Sequence, residues 1–420
     1  MLRGVPDIGI IEFDRNDVVR HKLVQRIVEA YRVLDEDTGV TRHVTVVEQG
    51  DPLSLTSDKS SECYRNWWPG PGSAMVDLTN RSIDLLEELS EGSGERFRMN
   101  RRGYAFATAA PGIAESLRQE AEDGEIRGSG PLRVHDGRGG ATAYQPRSVS
   151  GWREQPIGTD LLLDPDLIQR SFPGISPRTL AVLHVRRCGW LSAQQLGAYY
   201  LEAARAAGAR LVRGRVSGID QRNGAVTGVR IDGGTPSYLA TDRLVLSPGP
   251  HLNDLLDLLD VSLPVSCECH VKVALRDSRR VMTGKEPLMV WSDPVSLPWT
   301  DEERTILAES PETQYLLQPF AAGVHGRPEG QPGQHHLLAL WTYDVHTAEP
   351  TFPIDWDPHM PEIIVRGMSA MYPGMSTYFD PLPPLPVDGG YYTKLPDNRP
   401  VIGPLRSEEH TSELQSQFRI

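Results

Sequence analysis

Between Leu180 and Leu246 the chain changes element type so often, with so little between elements, that few folds accommodate it. Leu180 to Val185 is an apolar run of strand length. Ser192 stands where a helix N-cap belongs, and a helix is expected through Ala207. Gly208 follows in the position that favours a left-handed stop. Arg210-Leu211-Val212 returns as a strand, and Val216 to Ile231 reads as a hairpin around Asn223-Gly224, residues that tolerate the positive φ of a tight turn. Arg243 to Leu246 is a further apolar strand that runs out at Ser247-Pro248-Gly249. Strands alternating with a helix and a hairpin predict an α/β nucleotide-binding lobe.

The flanking regions extend this picture. Val44-Thr45-Val46-Val47 is a β-branched run that ends at Glu48, and a loop rich in Ser and Pro is expected from Gln49 to about Gly72. Met75 to Leu89 carries apolar residues at helical spacing; Tyr104 to Ala107 reads as a strand and Ile113 to Glu122 as a helix. Asp123 to Gly158 is polar and Gly-rich, which predicts surface loops. From 265 to 380, strands such as Val271 to Leu275 and His336 to Trp341 stand among Pro-rich loops, as in a mostly antiparallel second lobe. A chain of 420 residues is too long for one small core, so two interleaved lobes are expected.

Charge and cysteine content exclude several classes. A net charge of −13 argues against nucleic acid as a partner, since a phosphate backbone calls for a basic surface. No run of about 18 apolar residues exists, so no membrane span is expected. Met1 to Asp7 shows no apolar segment of a secretory signal, and the reading is cytoplasmic. Cys63, Cys188, Cys267 and Cys269 are too few and scattered for a disulfide framework. Cys267 and Cys269 precede His270, but no second ligand cluster with zinc spacing accompanies them, and alternation along a strand explains the pair.

Glu48 is the first candidate site residue. A carboxylate at a strand end can accept hydrogen bonds from both hydroxyls of a ribose, or it can simply be solvated. Ser54, Ser57, Ser60 and Ser61 follow with hydroxyls that suit a pyrophosphate, although such loops are often only loops. Arg65, beside Asn66-Trp67-Trp68, suits a phosphate or a substrate carboxylate by bidentate pairing.

Four segments together resemble the superfamily of D-amino-acid oxidase, glycine oxidase and sarcosine oxidase. Val46-Val47-Glu48 with the Ser-rich loop and Arg65 is similar to that family's early region. Gly189-Trp190-Leu191-Ser192 with Gly208 to Leu211 and Val216 is similar to its middle segment, where the residue matching Val216 contacts the adenine through its backbone. Ser247-Pro248-Gly249-Pro250-His251 resembles a strand-end turn passing close to the dinucleotide, with His251 standing where an aromatic residue is common. Gly389-Gly390-Tyr391-Tyr392-Thr393-Lys394 through Pro404 resembles the segment that returns from the substrate lobe to the flavin.

The resemblance implies an FAD-binding Rossmann-like lobe from 15–95, 180–264 and 385–405. It is interleaved with an antiparallel-sheet α+β substrate lobe from 96–179 and 265–384. It implies FAD held by Glu48, Ser60, Ser61, Arg65, Val216, Gly249, Gly390 and Asp397. The FAD is non-covalent, since Gly390 stands where covalent sarcosine oxidases have a cysteine. Tyr392 and His270 are the candidate catalytic residues, Tyr392 as a substrate contact or an aromatic strand residue, His270 facing the flavin or structural. The implied substrate is a small-molecule amine or amino acid, with oxygen or an electron-acceptor protein taking the electrons. A non-catalytic flavin-fold relic that serves as a partner-binding scaffold is the alternative.

Two departures qualify this. The Gly-x-Gly-x-x-Gly expected upstream of Val44 is absent: Asp17-Val18-Val19 resembles the start of the first strand and Ala30 to Leu34 the end of the first helix, but Arg20 to Glu29 contains no glycine. Side chains there would keep a pyrophosphate from a helix N-terminus. Arg406 to Ser416 resembles a translated sequencing adapter, which implies that 406–420 would be a non-native tail following a cut after about Leu405. Both departures imply impaired FAD binding. The tail is expected to stay unpacked, with at most a helix through Glu413-Leu414-Gln415.

Overall fold

The computed structural model describes residues 34–35, 40–41, 43–137, 143–330, 333–407 and 410–415. The expected first strand at Asp17-Val18-Val19, the glycine-free stretch to Glu29, and Ala30 to Val33 lie outside these residues. So do Glu408, Glu409 and everything from Ser416 onward.

Among the described residues, nine strands make the largest sheet, in the order Val387–Lys394, Ser266–Arg276, His336–Leu340, His325–Glu329, Leu288–Trp291, Tyr104–Thr108, Ala181–Val185, Thr159–Leu162 and Leu132–His135. Neighbours run antiparallel except Leu288–Trp291 with Tyr104–Thr108 and Leu132–His135 with Thr159–Leu162. Strand alternation gives the sheet two distinct faces. Leu337, Ala339, Val273 and Leu275 bury themselves with Ile363, Ile364 and Met368 of the helix Met360–Met368.

The second unit is smaller. Thr45–Glu48 runs parallel to Arg210–Arg213, and Arg215–Arg222, Ala225–Asp232 and Tyr238–Ala240 form an antiparallel sheet. Asn223 and Gly224 both take positive φ (53° and 76°), as the hairpin turn requires. The Ser192 hydroxyl accepts from the Gln195 N–H to cap the helix Ala193–Ala206, and Gly208 closes it at φ 92°. Ile219, Val229, Ile231, Leu246, Leu252 and Leu256 form this unit's core.

The structure departs from the sequence reading at four places. The stretch 49–72 contains a short helix, Thr56–Lys59, and a strand, Cys63–Arg65, which pairs with Cys188–Trp190. A partner over a hundred residues away leaves no trace in local periodicity. Leu132–His135 is likewise a strand inside an expected loop region. Ala181–Val185 and Val387–Lys394 belong to the nine-strand sheet. Ala181–Val185 is buried at every residue, and a strand covered on both faces reads alike in either lobe. Finally, His410–Gln415 is a strand, not a helix. It pairs with Ile402–Ser407, and its Glu413 and Leu414 run parallel to Val245 and Leu246, supplying backbone partners to a strand that has no other among the described residues. No helix among the described residues is long and apolar enough to cross a membrane.

Gly189, on the strand Cys188–Trp190, lies so close to the Asn100 carbonyl that a methyl group would overlap its oxygen. Gly189→Ala is expected to lower stability by about 1–3 kcal/mol. Gly112→Ala, on the helix Pro111–Ile126 with open space around it, should raise stability by about 0.5–1 kcal/mol. Thermal unfolding of the two variants checks the contrast, and a Gly189→Ala midpoint equal to wild type would refute the close approach.

Candidate functional site

The site is organised by the turn Ser60 to Glu62. Arg327 is fully buried, and its Nε and Nη2 donate to the Ser61 carbonyl at 3.0 and 2.9 Å. Its Nη1 donates to Glu329 at 2.5 Å, and the guanidinium lies over the Trp190 ring. Lys272 donates to the Ser60 carbonyl at 3.2 Å. Burial pushes the Lys272 ammonium below its ordinary pKa, with Asp388 and Glu62 opposing that shift. Glu62 takes a left-handed backbone (φ 61°) and accepts the Ala193 N–H at 2.8 Å, at the start of the helix Ala193–Ala206. Burial raises the Glu62 pKa despite that bond.

Beside this turn lies a cavity of about 460 Å³. Its floor is a transverse row of the large sheet: Phe106 faces Val290, Val290 faces His325, and His325 faces Leu340. Cross-strand partners share a face, so four strands contribute one side chain each. Ser60, Ser61, Arg65 and Trp68 line it from the turn and the strand that follows, and Met75, Thr79 and Ser82 from the helix Ala74–Gly92. Leu252, Leu263, Val265 and Val401 form an apolar end, and all four are part of or packed on the smaller unit's core.

Five of the sequence-predicted residues meet here: Ser60, Ser61, Arg65, His270 and Tyr392. The Arg65 guanidinium lies 4.0 Å over the Trp68 ring and 6.0 Å over the Tyr104 ring, and makes no ion pair or side-chain hydrogen bond with the described residues. Register places Tyr392 opposite Glu268, and the His270 and Tyr392 rings meet on one face with centroids 3.7 Å apart and planes tilted by 50°. His270 also reaches Thr342 Oγ1 at 3.4 Å and Glu268 at 3.5 Å, and Lys394 donates to Glu268 at 2.5 Å. Tyr391 lies opposite Cys269 on the other face; its hydroxyl donates to the Thr351 carbonyl, and its ring meets Phe352 edge-on. Cys267 and Cys269 share that second face as free thiols.

The other predicted residues stand outside the cavity wall. Glu48 ends its parallel strand and accepts the Gly50 N–H at 3.0 Å. Val216 pairs with Ile231 where the ladder slips before Gly218, and Gly249 is buried at φ 62°. Gly390 sits opposite His270 and faces the short helix; an added Cβ would come within 3.1 Å of Lys59 Cβ and 3.3 Å of Thr56 Cα. Asp397 is exposed and accepts the Arg399 N–H in a turn, while Leu395, Asn398 and Arg399 line the cavity. The sequence reading missed the floor residues Phe106, Val290, His325 and Leu340, because only strand register brings them together.

A smaller unit with a parallel strand pair and an antiparallel sheet, beside a large, mostly antiparallel mixed sheet, makes a mixed α/β fold. More particularly, the chain belongs to the DAO family of FAD-dependent oxidoreductases, whose model matches residues 30–413. Among solved structures it resembles L-proline dehydrogenase from P. horikoshii, at 16% identity and TM-score 0.64 over 95% of this chain and 84% of that one. It also resembles glycine oxidase from Geobacillus kaustophilus, at 15% identity and TM-score 0.62 over 89% of this chain and 82% of that one. Fructosyl amine:oxygen oxidoreductase from Aspergillus fumigatus gives 13% identity and TM-score 0.59 over 89% and 75%. No curated protein sequence matches the chain.

The cofactor is FAD, and the residues present suit it. Trp68 Nε1 is a buried donor without an acceptor among the described residues, on the wall of a cavity of ligand size. The flavin and its phosphates offer acceptors of the required kind.

Gly390→Val keeps strand propensity but places a side chain against the helix Thr56–Lys59. It is expected to displace that helix and weaken FAD binding by roughly tenfold or more. Equilibrium titration with FAD, alongside circular dichroism to verify an intact fold, measures this, and unchanged affinity would show that the close approach is unimportant.

Proposed function

We propose that the protein oxidises a small-molecule amine or amino acid at the carbon beside nitrogen. FAD, when bound, supplies the acceptor for the hydride that leaves that carbon. The observation that carries this reading is Arg65: a cation stacked on Trp68 at the cavity wall, with no carboxylate partner among the described residues. A guanidinium placed over a ring and left without a counter-ion among the described residues suits a substrate carboxylate by two parallel hydrogen bonds. The three neighbours described above are named for proline, glycine and a fructosyl amine, which are all nitrogen compounds.

His270 and Tyr392, in tilted ring contact beside Thr342, would orient the reacting carbon and exclude water. Glu48, the Val216 backbone and Gly249 would hold the dinucleotide, with Ser60 and Ser61 toward the flavin and Asp397 fixing the turn beside it. Gly390 offers no side chain for a covalent link, in keeping with non-covalent FAD.

With FAD saturating, anaerobic addition of amino acids and amines to the full chain is expected to bleach the flavin absorbance with at least one of them. A chain that FAD cannot saturate, or whose flavin nothing reduces, would favour the partner-binding scaffold. On admitting air, hydrogen peroxide would mark an oxidase; its absence would direct attention to a protein electron acceptor.

Arg65→Met should raise KM for a carboxylate-bearing substrate roughly 10–100-fold while leaving an amine without a carboxylate nearly unaffected. Equal effects on both would remove Arg65 from the substrate site. Glu48→Ala should weaken FAD binding by about 1–3 kcal/mol, the range for loss of a hydrogen-bonding partner that carries charge. An unchanged dissociation constant in a fluorescence titration would place Glu48 among the solvated residues.

A further inference from the structure

The middle of the cavity floor holds a histidine that the reaction proposed above leaves without a role. His325 opens the strand His325–Glu329, with Val290 and Leu340 as its cross-strand partners and Phe106 beyond Val290. One imidazole thus interrupts an apolar row. Its Nδ1 lies 2.8 Å from the Gly323 carbonyl oxygen. A carbonyl can only accept, so Nδ1 carries the proton, and Nε2 of the neutral ring is an acceptor. Nε2 has no hydrogen-bond partner among the described residues. Burial keeps the ring below its ordinary pKa; the Gly323 bond opposes this, and the nearby Arg65 charge adds to it.

We propose that His325 is a specificity-determining residue, whose Nε2 accepts a hydrogen bond from a hydroxyl or N–H on the substrate's substituent. This rests on Arg65 as the carboxylate anchor. A substrate anchored there with its substituent over the floor meets Phe106, Val290 and Leu340, which offer no polar atom, and one acceptor. An apolar pocket barely separates a hydroxyl from a methyl group, whereas a site with a fixed polar partner rejects the analogue that leaves it unpaired. Hydrocarbon substituents of the same shape would desolvate Nε2 and return nothing.

Calorimetric titration of the FAD-saturated full chain with two matched pairs tests this: β-hydroxypropionate against butyrate, and γ-hydroxybutyrate against valerate. Each pair exchanges a terminal hydroxyl for a methyl, and general hydrophobicity favours the alkanoate, so it works against the expected result. The hydroxy acid of at least one pair should bind roughly tenfold tighter, the effect of one well-placed hydrogen bond. His325→Phe should abolish that preference while still binding the alkanoate, and His325→Gln, which retains an acceptor, should keep part of it. If His325→Phe does not fold, His325→Leu carries the same comparison. Equal affinities in the wild type, a preference that survives in His325→Phe, or no binding by any of the four acids would overturn the proposal. Flavin reduction by amines is read separately in the same preparation. Its failure refutes the proposed reaction, while the hydroxyl preference is decided by the titrations alone.

Discussion

The arrangement depends on the attachment of one turn, Ser60 to Glu62, to a fully buried guanidinium. Burying Arg327 is unfavourable unless its N–H groups are met, and the Ser61 carbonyl and the Glu329 carboxylate meet them. Glu62 lies 3.6 Å from the same guanidinium and also binds the first N–H of the helix Ala193–Ala206. That double engagement accounts for a non-glycine residue at φ 61°, a conformation that needs support from its surroundings. One turn thereby joins the large sheet to a helix of the other unit. Arg327 is two residues from His325 on one strand, so both project from the same face. The contact that fixes the turn therefore also fixes the wall bearing Arg65 relative to the floor bearing His325.

Much of the smaller unit was legible because its signals are local. Ser192 and Gly208 delimit a helix by their own chemistry, and Asn223-Gly224 makes a hairpin turn by tolerating positive φ. The large sheet was legible only strand by strand. Nothing in Ala181–Val185 says which sheet receives it, since a run buried on both faces has no polar side to orient it. Pairing of Cys63–Arg65 with Cys188–Trp190 was equally hidden, because its partners are remote in the chain.

The site divides along the same line. Arg65, Ser60 and Ser61, which line the cavity, stand out in the sequence because hydroxyls and a cation cluster in one short stretch. His270 and Tyr392 are singled out only beside the family resemblance, and register explains why they meet: His270 faces Gly390, which has no side chain, so its ring turns diagonally onto Tyr392. Phe106, Val290, His325 and Leu340 come from four strands spread over more than two hundred residues. Each alone is an unremarked strand residue, and only the row has chemical meaning.

The distribution of cations then determines what the cavity can respond to. Arg327 and Lys272 are both directed at backbone carbonyls of the turn, so a ligand that drew either away would leave Ser60 or Ser61 with a lost hydrogen bond. Lys272 is further constrained by burial, which already disfavours its charge. Arg65 differs: its contacts are with the Trp68 and Tyr104 rings, and it makes no hydrogen bond to the turn or ion pair among the described residues. A ring contact limits the freedom of the side chain while leaving its N–H groups available to an anion. A negative ligand entering this cavity consequently finds in Arg65 a cation able to receive it without dismantling the turn that shapes the site.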